Sequence, residues 1–298
     1  MQTRARLSII ASMAIFGTIG LFVRMIGVSS AELALYRVVI AAVLLTGYFL
    51  ISRTRLHLGE IKRELPLLLL SGAAMGFNWI LLFEAYKYTT VSVATLSYYF
   101  APVIVTVACP LLFKERLSPL QWLCFAMSTL GLVLITGLDD LSAGASHLTG
   151  IAFGLGAAVL YASVMLLNKR IRGVSGLQRT YLQFLAAIAV LLPYVLCTSG
   201  VTLGTLDGLG WGMLLIVGGV HTCLAYCLYF PSVKALPGPE TAILSYIDPL
   251  LACLLSVTLL GESMTPEQLL GGALILGFTL LGELHPRKNE GGPHEQTH

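Results

Sequence analysis

Long apolar runs separated by short polar breaks fill nearly the whole chain. Ten runs stand out, at about 7–26, 32–52, 66–86, 91–113, 119–137, 149–168, 177–198, 209–229, 240–260 and 266–284. Each supplies the roughly 20 apolar residues a helix needs to cross a bilayer core. None alternates in polarity over about ten residues, as the strands of a membrane barrel would. Most connections are too short to hold a soluble domain. The pattern predicts an all-α integral membrane protein of ten transmembrane helices.

Composition agrees with the pattern and narrows the function classes. Of 298 residues, 56% are hydrophobic and 11% charged, with mean hydropathy +0.84. A soluble domain is about one quarter charged, so a cytosolic enzyme or a nucleic-acid binder is excluded. A net charge of +3 implies no polyanionic partner. All six cysteines fall inside predicted spans and read as small buried side chains, not as a disulfide framework. The segment 285–298, with His285, His294 and His298, reads as a disordered polar tail.

Charge placement gives the orientation. With the N-terminus in the cytoplasm, fifteen of the eighteen Lys and Arg residues fall at cytoplasmic helix ends, leaving only Arg24, Arg37 and Lys87 outside. Loop 138–148 carries Asp139 and Asp140 and no Lys or Arg. The positive-inside rule therefore places both termini in the cytoplasm. The expected location is a bacterial-type inner membrane.

The halves repeat at an offset of 147 residues. Pro102 aligns with Pro249, Tyr99 with Tyr246, Glu115 with Glu262, Pro119 with Pro266 and Gln121 with Gln268. Chance matching of apolar residues does not produce these coincidences of Pro, Glu and Gln. Removing the first run as a leader peptide would leave one half incomplete, so it is read as a span. Units of five spans, 7–137 and 149–284 joined by the outer linker 138–148, must insert with opposite orientation. Inverted repeats with a site between them are a common architecture of secondary transporters. The sequence leaves the oligomeric state open, and a monomer can suffice.

The motifs that carry a family likeness are Ala14-Ile-Phe-Gly-Thr18, Leu35-Tyr-Arg37, the stretch from Pro102 to Glu115-Arg-Leu-Ser-Pro119, and its echo from Pro249 to Glu262-Ser-Met-Thr-Pro266. Over about residues 7–284 the sequence resembles the EamA-type transporters of the drug/metabolite transporter superfamily. That resemblance implies a basket of ten helices and export of small metabolites, amino acids or drugs. Aromatic amino-acid exporters of the YddG kind belong to this group. Carriers of nucleotide sugars and sugar phosphates are more distant members, so the likeness leaves the substrate open.

Ionisable groups deep in a bilayer mark functional sites. Asp248 lies eight positions into the ninth run, about 12 Å deep at helical rise, beside Pro249, which removes a helical hydrogen bond. It fits a substrate amine or a coupling proton, and equally a structural hydrogen bond. His221, in mid-span, is a candidate relay partner to it or a packing residue beside Gly218 and Gly219. Arg37 would bind a substrate carboxylate or snorkel to the outer interface. Asn78, Trp79, Tyr98, Tyr99, Tyr161, Tyr226 and Tyr246 lie away from the span ends and would line a pocket for a ring-bearing or amphiphilic solute. Glu84 and Lys87 are spaced for a local ion pair. Glu115 and Glu262 read as turn or gate elements.

The expected function is a secondary carrier exporting small metabolites, amino acids favoured, by alternating access. A nucleotide sugar, a drug cation or a sugar phosphate is the alternative cargo. The sequence has no Gly-rich nucleotide loop, no Gly-x-Ser-x-Gly elbow and no His-Glu-x-x-His, so an enzyme is not expected. Its partners would be a small-molecule substrate, the lipid bilayer and, if transport is coupled, protons. No cofactor, metal or nucleic acid is implied.

Overall fold

A computed structural model describes residues 2–53, 58–113, 117–136, 144–174 and 176–285. Asp139, Asp140, Glu115 and the tail beyond His285 lie outside the described residues. The first half contains α1 (Gln2–Val23), α2 (Ser30–Ile51), α3 (Leu58–Tyr88), α4 (Val91–Tyr98), α5 (Ala101–Phe113) and α6 (Pro119–Thr136). The second contains α7 (Gly144–Arg170), α8 (Gly176–Cys197), α9 (Gly208–Ile216), α10 (Ala225–Ala235), α11 (Gly238–Ser245), α12 (Ile247–Thr258) and α13 (Pro266–Leu284). A π-helical segment, Val217–Leu224, joins α9 to α10. Together they make ten spans long and apolar enough to cross a membrane.

Two of those spans are built from half-helices. The apolar run 91–113 predicts one helix, but the chain breaks between α4 and α5 at Tyr99 and Phe100. In the second half the break falls at Tyr246, between α11 and α12. Pro102 and Pro249 explain both. Each lacks the N–H that would bond the carbonyl four residues back, that of Tyr98 or of Ser245. The chain then restarts with the proline in the first turn of the new helix, where no N–H is needed.

The repeat is also visible in the caps. Ser118 and Gln121 form a reciprocal box at the start of α6, with Ser118 N–H donating to Gln121 Oε1 at 2.9 Å and Gln121 N–H donating to Ser118 Oγ at 3.3 Å. Thr265 and Gln268 repeat it at the start of α13, at 3.1 and 3.2 Å. Each box satisfies two amide donors that a helix start leaves free. The equivalent helices α6 and α13 then pack face to face through glycine, a Cβ at Gly131 falling 2.6 Å from the Gly271 carbonyl. Close approach without side chains is a common way for helices to associate in lipid.

Glycine also sets the other close crossings. A Cβ on Gly72 of α3 would fall 2.5 Å from both Ala186 Cβ and the Gln183 carbonyl of α8. One on Gly17 of α1 would fall 2.7 Å from the Asp248 carbonyl of α12. The second crossing brings α1 of the first half against the broken span of the second.

Candidate functional site

Between the halves lies a cavity of about 390 Å³. Its wall runs from Tyr86 and Thr95, a few residues from the ends of α3 and α4 away from the termini, to Met165, Thr241 and the exposed Glu283 near the end that carries the termini. Both helix breaks reach it: Tyr98, Tyr99 and Pro102 from one, and Ser245, Tyr246 and Asp248 from the other.

Seven of the eight site residues predicted from sequence line this cavity, namely Arg37, Asn78, Trp79, Tyr98, Tyr99, Tyr246 and Asp248. Tyr161 and Tyr226 join them. The tyrosines form a connected array: Tyr98 stacks on Tyr161 with centroids 5.2 Å apart, and Tyr99 lies 6.2 Å from Tyr98 and 6.3 Å from Tyr246.

Asp248, in the first turn of α12, accepts a hydrogen bond from the Tyr99 hydroxyl at 2.7 Å. The bond crosses the interface between the two breaks. Asn78 donates to the Ala157 carbonyl at 2.6 Å, which ties α3 to α7 and fixes the amide at the wall. Among the described residues, the hydroxyls of Tyr246 and Thr241 have no hydrogen-bond partner although both are buried. Buried polar groups are ordinarily satisfied, and here these belong to side chains of the cavity wall.

Arg37 does not snorkel to the outer interface. It is 3% exposed, with its guanidinium 4.5 Å from the ring centroid of Trp79 and 5.4 Å from that of Phe83. Its Nε donates to Thr222 Oγ1 at 3.0 Å. The cation–π contacts and that one hydroxyl turn it inward. No described carboxylate lies within ion-pair distance of it.

His221 is the exception among the eight. It lies at the right depth but is 2% exposed and outside the cavity wall. Its Nε2 is 2.8 Å from Thr18 Oγ1, its Nδ1 is 3.4 Å from the Ile216 carbonyl, and its ring rests 4.7 Å from that of Phe22. The relay with Asp248 is therefore not formed, because each side chain is engaged elsewhere. The cause is local. The π-segment replaces i→i+4 bonding by i→i+5, and Thr222 Oγ1 back-bonds to the Val217 carbonyl at 2.8 Å. That widening shifts which residues face which neighbour.

Glu283, Tyr86 and Tyr229 line the cavity but were not expected to. They sit near helix ends, where Tyr and acidic residues are ordinary interface residues, and the sequence gives no sign that they turn inward.

At the end of the cavity away from the termini, a network of contacts ties the two halves together. Arg24, just past α1, pairs with Glu262 of the α12–α13 turn. It also donates to the Tyr86 carbonyl at 3.0 Å and the Thr89 carbonyl at 2.8 Å. Glu262 accepts in turn from the Val91 N–H at 2.9 Å and from the Ser256 hydroxyl. Five segments from both halves meet at this latch. At the opposite end, Arg6 and Glu240 pair on the surface, as Glu84 and Lys87 do at 3.0 Å elsewhere.

Comparison with known proteins fits this geometry. The profile of the EamA-like transporter family matches residues 3–137 and again 148–281. The chain belongs to the EamA-like transporter family. Each match covers five spans, in keeping with two repeats. Among relatives, the uncharacterized transporter YxxF of Bacillus subtilis is 29% identical over 92% of this chain and 88% of its own. An uncharacterized transporter of Archaeoglobus fulgidus is 29% identical over 92% and 94%. The threonine/homoserine exporter RhtA of Escherichia coli is 26% identical over 76% and 74%. A solved crystal structure, 18% identical, shares the fold with a TM-score of 0.63 over 94% of this chain and 96% of that one. The protein is thus a multi-pass membrane transporter, with ten candidate spans among the described residues, of a non-enzymatic family.

Proposed function

We propose that the protein is a secondary exporter of small metabolites, with amino acids as the favoured class, and that it works by alternating access. The observation that carries this reading is the asymmetry of the cavity: latched by Arg24 and Glu262 at one end, and walled at the other by the exposed Glu283. The positive-inside distribution puts the termini end in the cytoplasm. The cavity then takes substrate from the cytoplasm, as an exporter must. The halves that would move are the units 7–137 and 149–284, each carrying one broken span.

Amino acids are favoured by two supports. One is the likeness to a threonine/homoserine exporter. The other is a cavity that combines a cation, a carboxylate and a wall of tyrosines, which suits a small amphiphilic solute. Nucleotide sugars and sugar phosphates need several cationic groups, and Arg37 is the only Lys or Arg among the described residues of the wall. The wall also holds two carboxylates, Asp248 and Glu283, which makes an organic cation the second reading. Asp248 is the group we assign to proton coupling, should export be driven by protons.

The test is flux into proteoliposomes with a panel of amino acids and organic cations, with and without a pH gradient. Exchange of at least one amino acid is expected. Exchange of organic cations alone would replace the amino-acid reading with the second one, and flux indifferent to the gradient would remove the coupling role of Asp248.

A further inference from the structure

The geometry points to a two-point clamp for zwitterions in the cavity, with Arg37 taking a carboxylate and Asp248 an ammonium group. The inference rests on the amino-acid reading above and deepens it to α-amino acids that carry both charges free. It begins from Arg37. A guanidinium has five N–H donors, and only Nε is engaged, with Thr222. The η nitrogens have no hydrogen-bond acceptor among the described residues, although the side chain is buried and lines the cavity. A charge held in the membrane interior without a counter-charge is expensive. The rings of Trp79 and Phe83 offset part of that, and fix the planar group in place.

Asp248 is the complement. One carboxylate oxygen accepts from Tyr99. No described Lys, Arg or His pairs with it, and it lines the same cavity. Arg37 and Asp248 do not pair with one another. Arg37, buried, and Asp248, half-buried, thus line one cavity with opposite charges and no partner for either among the described ion pairs.

Cargo chemistry follows from that arrangement. A zwitterion pairs both charges at once. A monoanion would satisfy Arg37 and leave Asp248 bare, and a cation would do the reverse. Breaking or omitting one partner of a buried pair is strongly unfavourable, so solutes with one charge are disfavoured by the site itself. Arg37 also suits the carboxylate by shape, since its planar fork matches two oxygens side by side. Tyr98, Tyr161 and Tyr226 remain to hold the substrate side chain.

The test uses the full-length protein in proteoliposomes and one labelled neutral amino acid that it exchanges. Competitors are that amino acid, its amide, which lacks the carboxylate, and its N-acetyl derivative, which lacks the ammonium. In the unaltered protein both derivatives compete about tenfold or more weakly. With Arg37→Gln the penalty on the amide disappears and that on the N-acetyl derivative stays. With Asp248→Asn the pattern reverses, and Arg37→Lys keeps a preference for the carboxylate. Equal competition by all three in the unaltered protein would overturn the clamp without needing any variant to fold. So would a carboxylate preference that survives Arg37→Gln. Failure to exchange any amino acid, with another solute class carried, would instead overturn the reading on which the clamp rests.

Discussion

Asp248 and Tyr99 meet across two helix breaks, so one hydroxyl both steadies a half-buried carboxylate and joins the halves. Tyr99→Phe removes that bond and leaves the ring. The expected outcome is an apparent affinity three- to tenfold weaker or thereabouts, read from flux against substrate concentration, with maximal flux largely kept. Unchanged affinity would mean that the bond is incidental to binding. The depth of both residues was legible in the sequence, because counting from a span edge at helical rise gives depth directly. Direction was less so. Arg37 could be read as snorkelling because nothing in its neighbourhood reveals Thr222, 185 residues away, or the face of Trp79. His221 takes its packing role and not the binding or relay one for a related reason. Its facing depends on a π-segment, and the apolar pattern around Gly218 and Gly219 carries no mark of i→i+5 bonding.

At the level of helices, the sequence specified more than spans. Proline positions at the 147-residue offset place both breaks, although an apolar run such as 91–113 hides the break in its hydrophobicity. The repeated Ser/Thr-Pro-x-Gln starts are caps whose function is readable from residue type alone. The latch was half legible: Glu262 stood out as a turn or gate element, but its partner Arg24 is 238 residues away. Glu262→Gln should loosen the closed end. In a background lacking the native cysteines, a cysteine at Thr95 should then react several-fold faster with an impermeant thiol reagent added from the non-cytoplasmic side. No change in labelling would show that packing alone closes that end. The helix crossings make a separate prediction. Gly72→Ala drives a methyl into Ala186 and the Gln183 backbone at 2.5 Å. It should lower stability by about 1–3 kcal/mol, measured as a fall in unfolding temperature in detergent.

For the whole molecule, scarcity of charge is the organising fact. Most of the 11% charged residues sit at helix ends. Those that face the interior among the described residues include Arg37 and Asp248 in the cavity, Glu283 on its wall, Arg24 with Glu262 at the far end, and Glu32, buried at the start of α2 where it accepts from Ser29, Tyr36 and Thr202. The ten-span, two-unit architecture was legible because length, composition and repeat all constrain it. The substrate was not, since selectivity arises from side chains that converge from opposite halves. Orientation is open to direct test: a tag on either terminus should be protected from protease in intact cells and exposed in inverted membranes. The most direct test of the transport account is counterflow of a labelled neutral amino acid in proteoliposomes, comparing the unaltered protein with Asp248→Asn at equal reconstitution. The account predicts accumulation of label driven by unlabelled amino acid in the first and loss of at least about nine-tenths of it in the second. Equal accumulation in both, or none in the unaltered protein, would contradict it.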